Sequence, residues 1–378
     1  MQWAFGSNMG FCGNAKYLFL YLCQHQEYGI KVIWIGDKIE VDNISALGLP
    51  ACCRWSFNGV WSALRSGVYL YNSYVSDVNI HTRGRAVKVN LWHGVGIKNI
   101  ERKITIGPVA RMFRSYNPIV RLKANAMHIK PDIFLSTSPM MTNHFSECFG
   151  ISPNQCIESI YPRCSIFNMS KDQLSDFIEL FESEASKTVI QLMNNYENAY
   201  FYMPTWRDEG DNFFNTYHIN FGRLNESLKT SNSLLIVKLH PVSKVDNISE
   251  DLSNVLFIDK NIDVYPLLPF TTGLITDYSS IYFDYILLNN KKIILFIPDF
   301  ERYITHDRDL AFPYKEFTRG HYVYDVNELA NCFKSPSSIS KDGKLRNVVN
   351  AFWSDTQGSC DKLIKQILNK IDLIKNPQ

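Results

Sequence analysis

Four short polar clusters in the sequence carry residue types that can do chemistry, and each directly follows an apolar run typical of a strand. Histidine, arginine, aspartate and serine side chains can move protons or bind phosphate. The clusters are Trp92-His93-Gly94, residues 204–208, Leu239-His240-Pro241 and residues 277–280. Because ligands of open parallel sheets bind beyond the carboxyl ends of the strands, we expect all four clusters to line one cleft.

His93 is the first candidate for acid–base chemistry. An imidazole at a strand end can take the proton of an attacking hydroxyl near neutral pH, and Gly94 allows the backbone to turn sharply after it. The alternative is a hydrogen-bonded histidine that only closes the sheet, and composition alone favours this reading.

The other clusters suit phosphate binding. His240 precedes Pro241, which excludes a helix there, and it can stabilise a developing phosphate charge or simply end a strand. Ser279 or Ser280 can cap a helix from Ile281 onward, so that the free N–H groups and the positive dipole end face the cleft. An ordinary N-cap without a ligand is the alternative.

Arg207 can bridge phosphate oxygens with its planar guanidinium. The acids that follow it, Asp208, Glu209 and Asp211, do not have the spacing of a metal loop, and a solvated turn around Gly210 fits them better. The sequence contains neither GxGxxG nor GxxxxGK[ST]. We therefore predict no protein-bound metal and no cofactor.

Strand and helix patterns alternate along the chain, which predicts parallel sheets covered by helices. The predicted strands cover residues 31–35, 68–71, 87–91, 133–136, 200–203, 234–238, 274–276 and 292–297. The predicted helices cover residues 15–25, 140–149, 173–195, 281–288 and 347–373.

Length and composition indicate a folded protein of two domains. The chain has 378 residues, 46% of them hydrophobic and 20% charged. A polar stretch, NNYENA, precedes the strand at residue 200, so we place the first domain at 1–195 and the second at 196–346. Residues 347–378 form a final helix that can pack back on the first domain, although the sequence does not fix its partner.

Targeting and redox signals favour a reduced, intracellular environment. The N-terminus has no basic start followed by an apolar run, and no apolar stretch approaches the length of a membrane span. The nine cysteines are an odd number and lack zinc-ligand spacing. We expect them to be reduced and mostly buried.

Residues 98–130 form a basic segment with eight Lys or Arg and one acid, a net charge of +7, interleaved with apolar residues. This composition suits an anionic membrane surface, at about 1 kcal/mol per cation near it. A solvated helical face fits the charge equally well, whereas no recognition motif supports nucleic acid. The cations expected to contact a membrane are Arg111, Arg114, Arg121 and Lys123.

The clusters together resemble the CDP-glycerol glycerophosphotransferases, which are teichoic acid primases and polymerases with relatives that build glycerol- or ribitol-phosphate capsules. The matching segments, in family order, are NLWHGVGIK, YMPTWRDE, IVKLHP and LITDYSSIYFDY, preceded by an early GNAKYLFLYL. This resemblance implies a GT-B fold, with two Rossmann-like domains whose parallel sheets face each other across a cleft. The acceptor is expected on the first domain and the CDP-alditol on the second.

The resemblance also implies roles for individual residues. In this family the WHG histidine is taken as the base for the acceptor hydroxyl, which implies that role for His93. The LHP histidine implies a place beside the donor phosphates for His240. The remaining donor-binding residues implied by the motifs are Arg207, Asp277, Ser279 and Ser280. Where the family often has a Gly-Tyr-Pro-Arg-Asn-Asp-like turn, this chain keeps Arg163 without the Asn and Asp, which leaves the role of Arg163 open.

The predicted reaction is transfer of glycerol phosphate or ribitol phosphate from a CDP-alditol to a lipid-linked or polymeric hydroxyl acceptor, with release of CMP. The resemblance further implies a peripheral protein on the cytoplasmic face of the cell membrane, engaged in teichoic acid or capsule synthesis. A GT-B glycosyltransferase using a nucleotide sugar and a non-catalytic polymer-binding membrane protein are the alternatives. The sequence does not choose between glycerol and ribitol or between primase and polymerase.

Overall fold

A computed structural model of the protein describes residues 1–106, 110, 113, 122, 124–205, 216–217, 219–238, 252–339 and 345–376. Within these residues the chain forms two parallel β-sheets with helices packed on them. The predicted α/β class is therefore confirmed.

The first sheet is built from the N-terminal half of the chain. Its strands are β1 Gln2–Gly6, β2 Lys31–Gly36, β3 Ala51–Cys53, β4 Val68–Tyr71, β5 Val87–Asn90, β6 Ile133–Ser136 and β7 Cys156–Glu158. They lie in the order β3-β2-β1-β4-β5-β6-β7, all parallel, as in a doubly wound fold. The helices are α1 Gly13–Gln24, α2 Lys38–Ala46, α3 Phe57–Arg65, α4 Pro139–Phe149, α5 Lys171–Phe181 and α6 Glu184–Met193.

Alternation along the central strand β1 divides the packing between the two faces of this sheet. Trp3 and Phe5 belong to the core that also contains residues of α1. Ala4 belongs to a separate cluster on the opposite face, together with Ala63 of α3. This is the period-two pattern of a strand covered on both sides.

The second sheet follows in the chain. Its strands are β8 Asn198–Tyr202, β9 Ser233–Val237, β10 Val255–Phe257, β11 Gly273–Thr276, β12 Lys292–Phe296 and β13 His321–Val323. They are parallel and lie in the order β10-β9-β8-β11-β12-β13. The helices are α7 Phe221–Lys229, α8 Ile281–Tyr285, α9 Phe300–Arg302, α10 Tyr314–Phe317, α11 Val326–Lys334, α12 Leu345–Phe352 and α13 Cys360–Lys375.

This strand order brings predicted site segments together. β8 lies between β9 and β11, so the carboxyl ends of all three strands meet at one edge of the second sheet. The strands that precede three of the four polar clusters are therefore neighbours in the sheet.

Two long predicted helices are each broken in the structure. The helix predicted over 173–195 is split into α5 and α6, because Glu182 is extended and the Ser183 hydroxyl accepts from the backbone N–H of Ser186 to start α6. The helix predicted over 347–373 is split into α12 and α13, and the Ser359 hydroxyl caps α13. Local side-chain capping at the two serines outweighs the continuous apolar period.

The break before α13 has a structural consequence. The indole N–H of Trp353 donates to the carbonyl of Phe283 in α8, at 2.8 Å. α13 contacts the first sheet, because the Gln366 side-chain amide donates to the carbonyl of Glu158 at the end of β7. The C-terminal segment thus contacts both halves of the chain.

In the described part of the chain, no helix combines the length and apolarity needed to cross a bilayer.

A buried ionic cluster joins the two halves. The ammonium of Lys16 in α1 lies 2.6 Å from Glu182 and 2.9 Å from Asp263, and all three side chains are buried. The Tyr17 hydroxyl donates to the same Asp263 carboxylate at 2.9 Å. Asp263 precedes β11, so α1 of the first domain is fixed to the second domain by charge.

We expect Lys16→Met to destabilise the protein, because it leaves Glu182 and Asp263 buried without their cation. Breaking a buried ion pair from one side costs about 3–5 kcal/mol of unfolding free energy. Chemical denaturation followed by circular dichroism measures this loss. The control is Lys229→Met, which removes an exposed pair with Glu226 and should cost less than about 0.5 kcal/mol. Equal losses in the two variants would contradict the proposed role of the buried cluster.

Candidate active site

The turn that carries His93 is strained and held from several sides. Trp92 has a φ of 52°, which is rare for a bulky residue. The Asn14 amide at the start of α1 donates to the carbonyls of Leu91 at 2.9 Å and Trp92 at 2.8 Å. The Trp92 N–H donates to the Asn90 side chain at 2.8 Å. These bonds stabilise a conformation that the Trp92 backbone alone would avoid.

The imidazole of His93 is oriented by its Nδ1 atom. Nδ1 lies 3.1 Å from the carbonyl oxygen of Asn72 and 3.2 Å from the Ser73 hydroxyl. Because a carbonyl can only accept, Nδ1 carries the proton in the neutral ring, and Nε2 carries the lone pair. None of the hydrogen bonds recorded for His93 in the described residues involves Nε2.

The ring is neutral at physiological pH. Burial lowers the pKa of His93 to about 4. The positive charges of Arg163 and Lys98 also lower this pKa, whereas the hydrogen bond to the Asn72 carbonyl raises it. A neutral imidazole with the Nε2 lone pair is the form that can accept a proton.

Arg163 connects this turn to the second domain. It lies in the 3₁₀ segment Pro162–Asn168 and is 4% exposed. One guanidinium nitrogen, Nη1, donates to the His93 carbonyl at 2.9 Å, and Nη2 lies 2.5 Å from the Asp284 carboxylate. The rings of Tyr161 and Tyr265 lie 5.1 and 4.8 Å from the guanidinium carbon. The role that the sequence left open is therefore that of a bridge between domains.

Asp284 is the partner of this bridge in the second domain. It lies in α8, is fully buried, and also accepts from the Tyr265 hydroxyl at 2.5 Å. Since α8 follows the 277–280 segment directly, the Arg163–Asp284 pair fixes the His93 turn of one domain against the predicted donor loop of the other.

Gly94 and Ser280 meet where the two domains approach. A Cβ atom on Gly94 would lie 2.8 Å from the Ser280 Oγ, and Gly94 has a φ of 157°. Any side chain at position 94 would therefore displace Ser280. The structure places His93 and Ser280 at the same junction.

The predicted side-chain cap of α8 is wrong. Ser280 has helical dihedral angles, φ −64° and ψ −20°, and makes no side-chain cap bond within the described residues. A capping hydroxyl requires an extended residue, so Ser280 cannot cap, and its Oγ lies against Gly94 instead. α8 is also shorter than predicted and ends at Tyr285.

Asp277 ties together two loops at the sheet edge. Its carboxylate accepts from the backbone N–H of Thr205, at 2.9 Å, and from that of Tyr278, at 2.6 Å. It is 3% exposed. Asp277 thus positions the segment that follows β8 as well as the segment that follows β11.

The loop after His93 crosses to the second domain. Lys98 forms an antiparallel bridge with Leu310, and the backbone N–H of Ala311 donates to the Ile97 carbonyl at 2.6 Å. The Asn99 amide donates to Asp309 at 2.7 Å. The WHG segment is therefore tied to the second domain at two places, through the Arg163–Asp284 pair and through the contacts of residues 97–99 with residues 309–311.

Six of the predicted site and membrane-contact residues lie outside the described residues. They are Arg111, Arg114, Arg121, Lys123, Arg207 and His240. Among the described residues, no group of three or more His, Cys, Asp or Glu side chains is arranged to hold a metal ion.

Sequence reasoning missed Asn14, Asn72 and Ser73, which set the turn and the imidazole. Their partners lie up to 78 residues away in the chain, so no local spacing reveals them. The available signal was the early GNAKYLFLYL segment, in which Asn14 stands second.

With this geometry in place, comparison with known proteins is decisive. Residues 3–369 match the family model of the CDP-glycerol:poly(glycerophosphate) glycerophosphotransferases. The chain belongs to this family. The resemblance read from the motifs is confirmed, and with it the prediction of a transferase enzyme.

Two relatives of this glycerophosphotransferase come from Bacillus spizizenii. A teichoic acid ribitol-phosphate primase is 25% identical over 272 residues, which are 71% of this chain and 64% of the primase. A teichoic acid poly(glycerol phosphate) polymerase is 23% identical over 369 residues, 96% of this chain and 90% of the polymerase. The match thus spans just under two thirds of the primase and most of the polymerase.

Solved structures of the wall teichoic acid polymerase TagF share the fold of this glycerophosphotransferase. A histidine-to-asparagine variant superposes with a TM-score of 0.77 at 18% identity, covering 99% of this chain and 90% of that chain. The same variant soaked with CDPG gives a TM-score of 0.73 at 19% identity, covering 99% and 89%. The predicted GT-B architecture of two Rossmann-like domains is confirmed.

We expect Arg163→Lys to lower kcat about 100-fold, because the single ammonium nitrogen of a lysine does not reproduce the two separate nitrogen positions from which Arg163 bonds the His93 carbonyl and Asp284. Steady-state release of the nucleotide product measures the effect, and a circular dichroism spectrum checks the fold. Arg223→Lys is the matched control, since Arg223 is exposed on α7. An unchanged kcat with a larger KM alone would contradict a positioning role for Arg163.

Proposed function

We propose that the protein transfers glycerol phosphate or ribitol phosphate from a CDP-alditol to an acceptor hydroxyl in teichoic acid or capsular polymer synthesis, and releases CMP. The observation that carries this proposal is the neutral His93, with its lone pair on Nε2, fixed at the junction with Ser280 of the second domain. Family membership supplies the reaction class.

The names of the relatives support both donors. They include a ribitol-phosphate primase and a poly(glycerol phosphate) polymerase, and a TagF crystal was soaked with CDPG. We assign the donor to the second domain, beside the 277–280 segment. The acceptor belongs to the first domain, beside His93, and is a lipid-linked or polymeric hydroxyl.

His93 is assigned as the general base. Its Nε2 takes the proton from the acceptor hydroxyl as the oxygen attacks the phosphorus that carries the alditol. The bond from that phosphorus to the bridging oxygen breaks, and CMP leaves with the electron pair. Such transfers depend on positioning and charge stabilisation rather than on covalent intermediates.

Phosphate stabilisation is assigned to residues of the second domain. Ser279 and Ser280 lie at the start of α8, and Asp277 shapes the adjoining loops. We further assign His240 and Arg207 to the donor phosphates, on the strength of the LHP and TWRD motifs. A protonated histidine and an arginine both suit the charge that develops on the leaving group.

The donor itself is expected to strengthen the base. Burial and the cations Arg163 and Lys98 hold the pKa of His93 down. A bound diphosphate adds negative charge beside the ring, which favours the imidazolium. His93 therefore becomes a better proton acceptor when the donor is in place.

We also propose that the enzyme is peripheral to the cytoplasmic face of the membrane. The basic segment 98–130 carries a net charge of +7, which complements anionic lipid head groups. Arg111, Arg114, Arg121 and Lys123 are assigned to this contact. Docking would bring a lipid-linked acceptor to the His93 side of the cleft.

His93→Ala is expected to reduce CMP release from CDP-glycerol or CDP-ribitol by about 10²–10⁴-fold, the usual contribution of a general base. The assay measures CMP with a lipid-linked or oligomeric acceptor present. His306→Ala is the control, because His306 is exposed in the second domain and should keep full activity. Near-normal turnover of His93→Ala would remove His93 from the mechanism, and release of a nucleoside diphosphate would indicate glycosyl transfer.

The pH dependence should show the effect of the donor on the base. Because burial lowers the pKa of His93 to about 4 in the free enzyme, the neutral form persists down to that pH, and kcat/KM should fall only below it. In the donor complex the pKa rises, so the acid limb of kcat should lie at higher pH than that of kcat/KM. Profiles measured from pH 3 to 8 test this order. An acid limb of kcat/KM near 6.5 would contradict it.

A further inference from the structure

Helix α3 exposes its large apolar side chains. Phe57 is 83% exposed, Trp61 53% and Leu64 55%, and Trp55 just before the helix is 69% exposed. Positions 57, 61 and 64 share one face of a helix. A water-exposed helical face of this kind is unusual, because large apolar residues normally face the core.

The buried side of α3 is made of small residues. Gly59 and Ala63 face the first sheet, and a Cβ on Gly59 would lie 1.9 Å from the carbonyl oxygen of Cys53. The helix therefore lies close to β3, with no room for a large residue beneath it. Elsewhere the pattern is the normal one, since α5 buries Leu174 and Phe177. The amphipathic pattern of α3 is inverted.

The surroundings of α3 are basic. Residues 54–88 contain five Lys or Arg and one acid, Asp77, which gives a net charge of +4. Asp77 is fully buried, and Lys88 pairs with Asp132 at 2.6 Å, so the basic character near the helix comes from the arginines. The Arg65 guanidinium lies over the Trp61 ring at 5.8 Å, and Arg85 is exposed.

α3 covers the same sheet face as the end of the basic segment. Ala63 belongs to the cluster with Ala4 and Tyr69 on this face, and Ile129 packs against that cluster. Ile129 is the penultimate residue of the segment 98–130. α3 and the described end of the basic segment at Ile129 therefore lie on the same side of the first domain.

We propose that the exposed face of α3 inserts into the interfacial layer of an anionic bilayer. Tryptophan and phenylalanine suit the head-group level, and the flanking arginines suit anionic lipids. A second copy of the chain is a poorer occupant, because a two-fold interface would set the arginines beside one α3 against those beside the other. The α3 face adds a second contact to the proposed membrane association and rests on that proposal. The transfer chemistry proposed for His93 does not depend on the α3 face.

The test compares two triple variants of the full-length protein in co-sedimentation with phosphatidylcholine–phosphatidylglycerol vesicles. Phe57→Gln/Trp61→Gln/Leu64→Gln removes the α3 face. The control, Leu180→Gln/Leu373→Gln/Ile374→Gln, removes equally exposed apolar residues elsewhere. We expect vesicle partition to fall at least 10-fold for the α3 variant and less than 2-fold for the control. Both should keep their melting temperature and their CMP release in a soluble assay.

Further arms separate the contributions. Neutralising Arg111, Arg114, Arg121 and Lys123 to glutamine tests the basic segment in the same assay. Unchanged partition of the α3 variant would overturn the proposal, and so would a change of oligomeric state with partition unchanged, which would identify a protein interface. If the wild type sediments with vesicles through α3 but releases no CMP from either CDP-alditol, the proposed reaction fails while the α3 contact stands.

Discussion

The Arg163 guanidinium is removed from water at the junction of the two domains, and much of the candidate site depends on the partners of its two terminal nitrogens, Nη1 and Nη2. A buried guanidinium is costly unless it is paired and hydrogen-bonded. Here one nitrogen donates to the main-chain carbonyl of His93 in the first domain, and another pairs with Asp284 in the second. The aromatic rings of Tyr161 and Tyr265 occupy its surroundings. The position of His93 and the position of α8 are consequently not independent of each other.

The same constraint explains why a strained turn persists. A tryptophan at φ 52° is retained only where surrounding bonds over-determine it. Asn14 and Asn90 supply those bonds from within the first domain, while Arg163 holds the next carbonyl along. The strain sets the direction in which the His93 ring leaves the strand, and Asn72 then selects the tautomer. Orientation and protonation state thus come from separate neighbours.

Features that depend on neighbouring residues in the chain, such as strands and their ends, could be predicted from the sequence. Each strand predicted from apolar runs is present, and His93 and Ser280 meet as strand-end reasoning expected. The five-residue strand β1 was missed. The short strands β3, β7, β10 and β13 were also missed, because three residues give too little periodicity to read. The long helices were over-extended because serine caps at 183 and 359 interrupt a continuous apolar pattern. The role of Arg163 was unreadable, since its partner in α8 is 121 residues away and depends on the packing of two domains.

Charge at the domain junction also shapes how the cleft can behave. Lys16 and Arg163 both belong to the first domain, and each is neutralised by a carboxylate of the second, Asp263 and Asp284. Separating the domains would break both pairs. It would also expose the apolar core that the two domains share across the junction. The two halves are therefore held in a defined relation before any substrate arrives. For a phosphoryl transfer that relies on alignment of an oxygen, a phosphorus and a leaving group, a cleft arranged in advance is itself a contribution to rate.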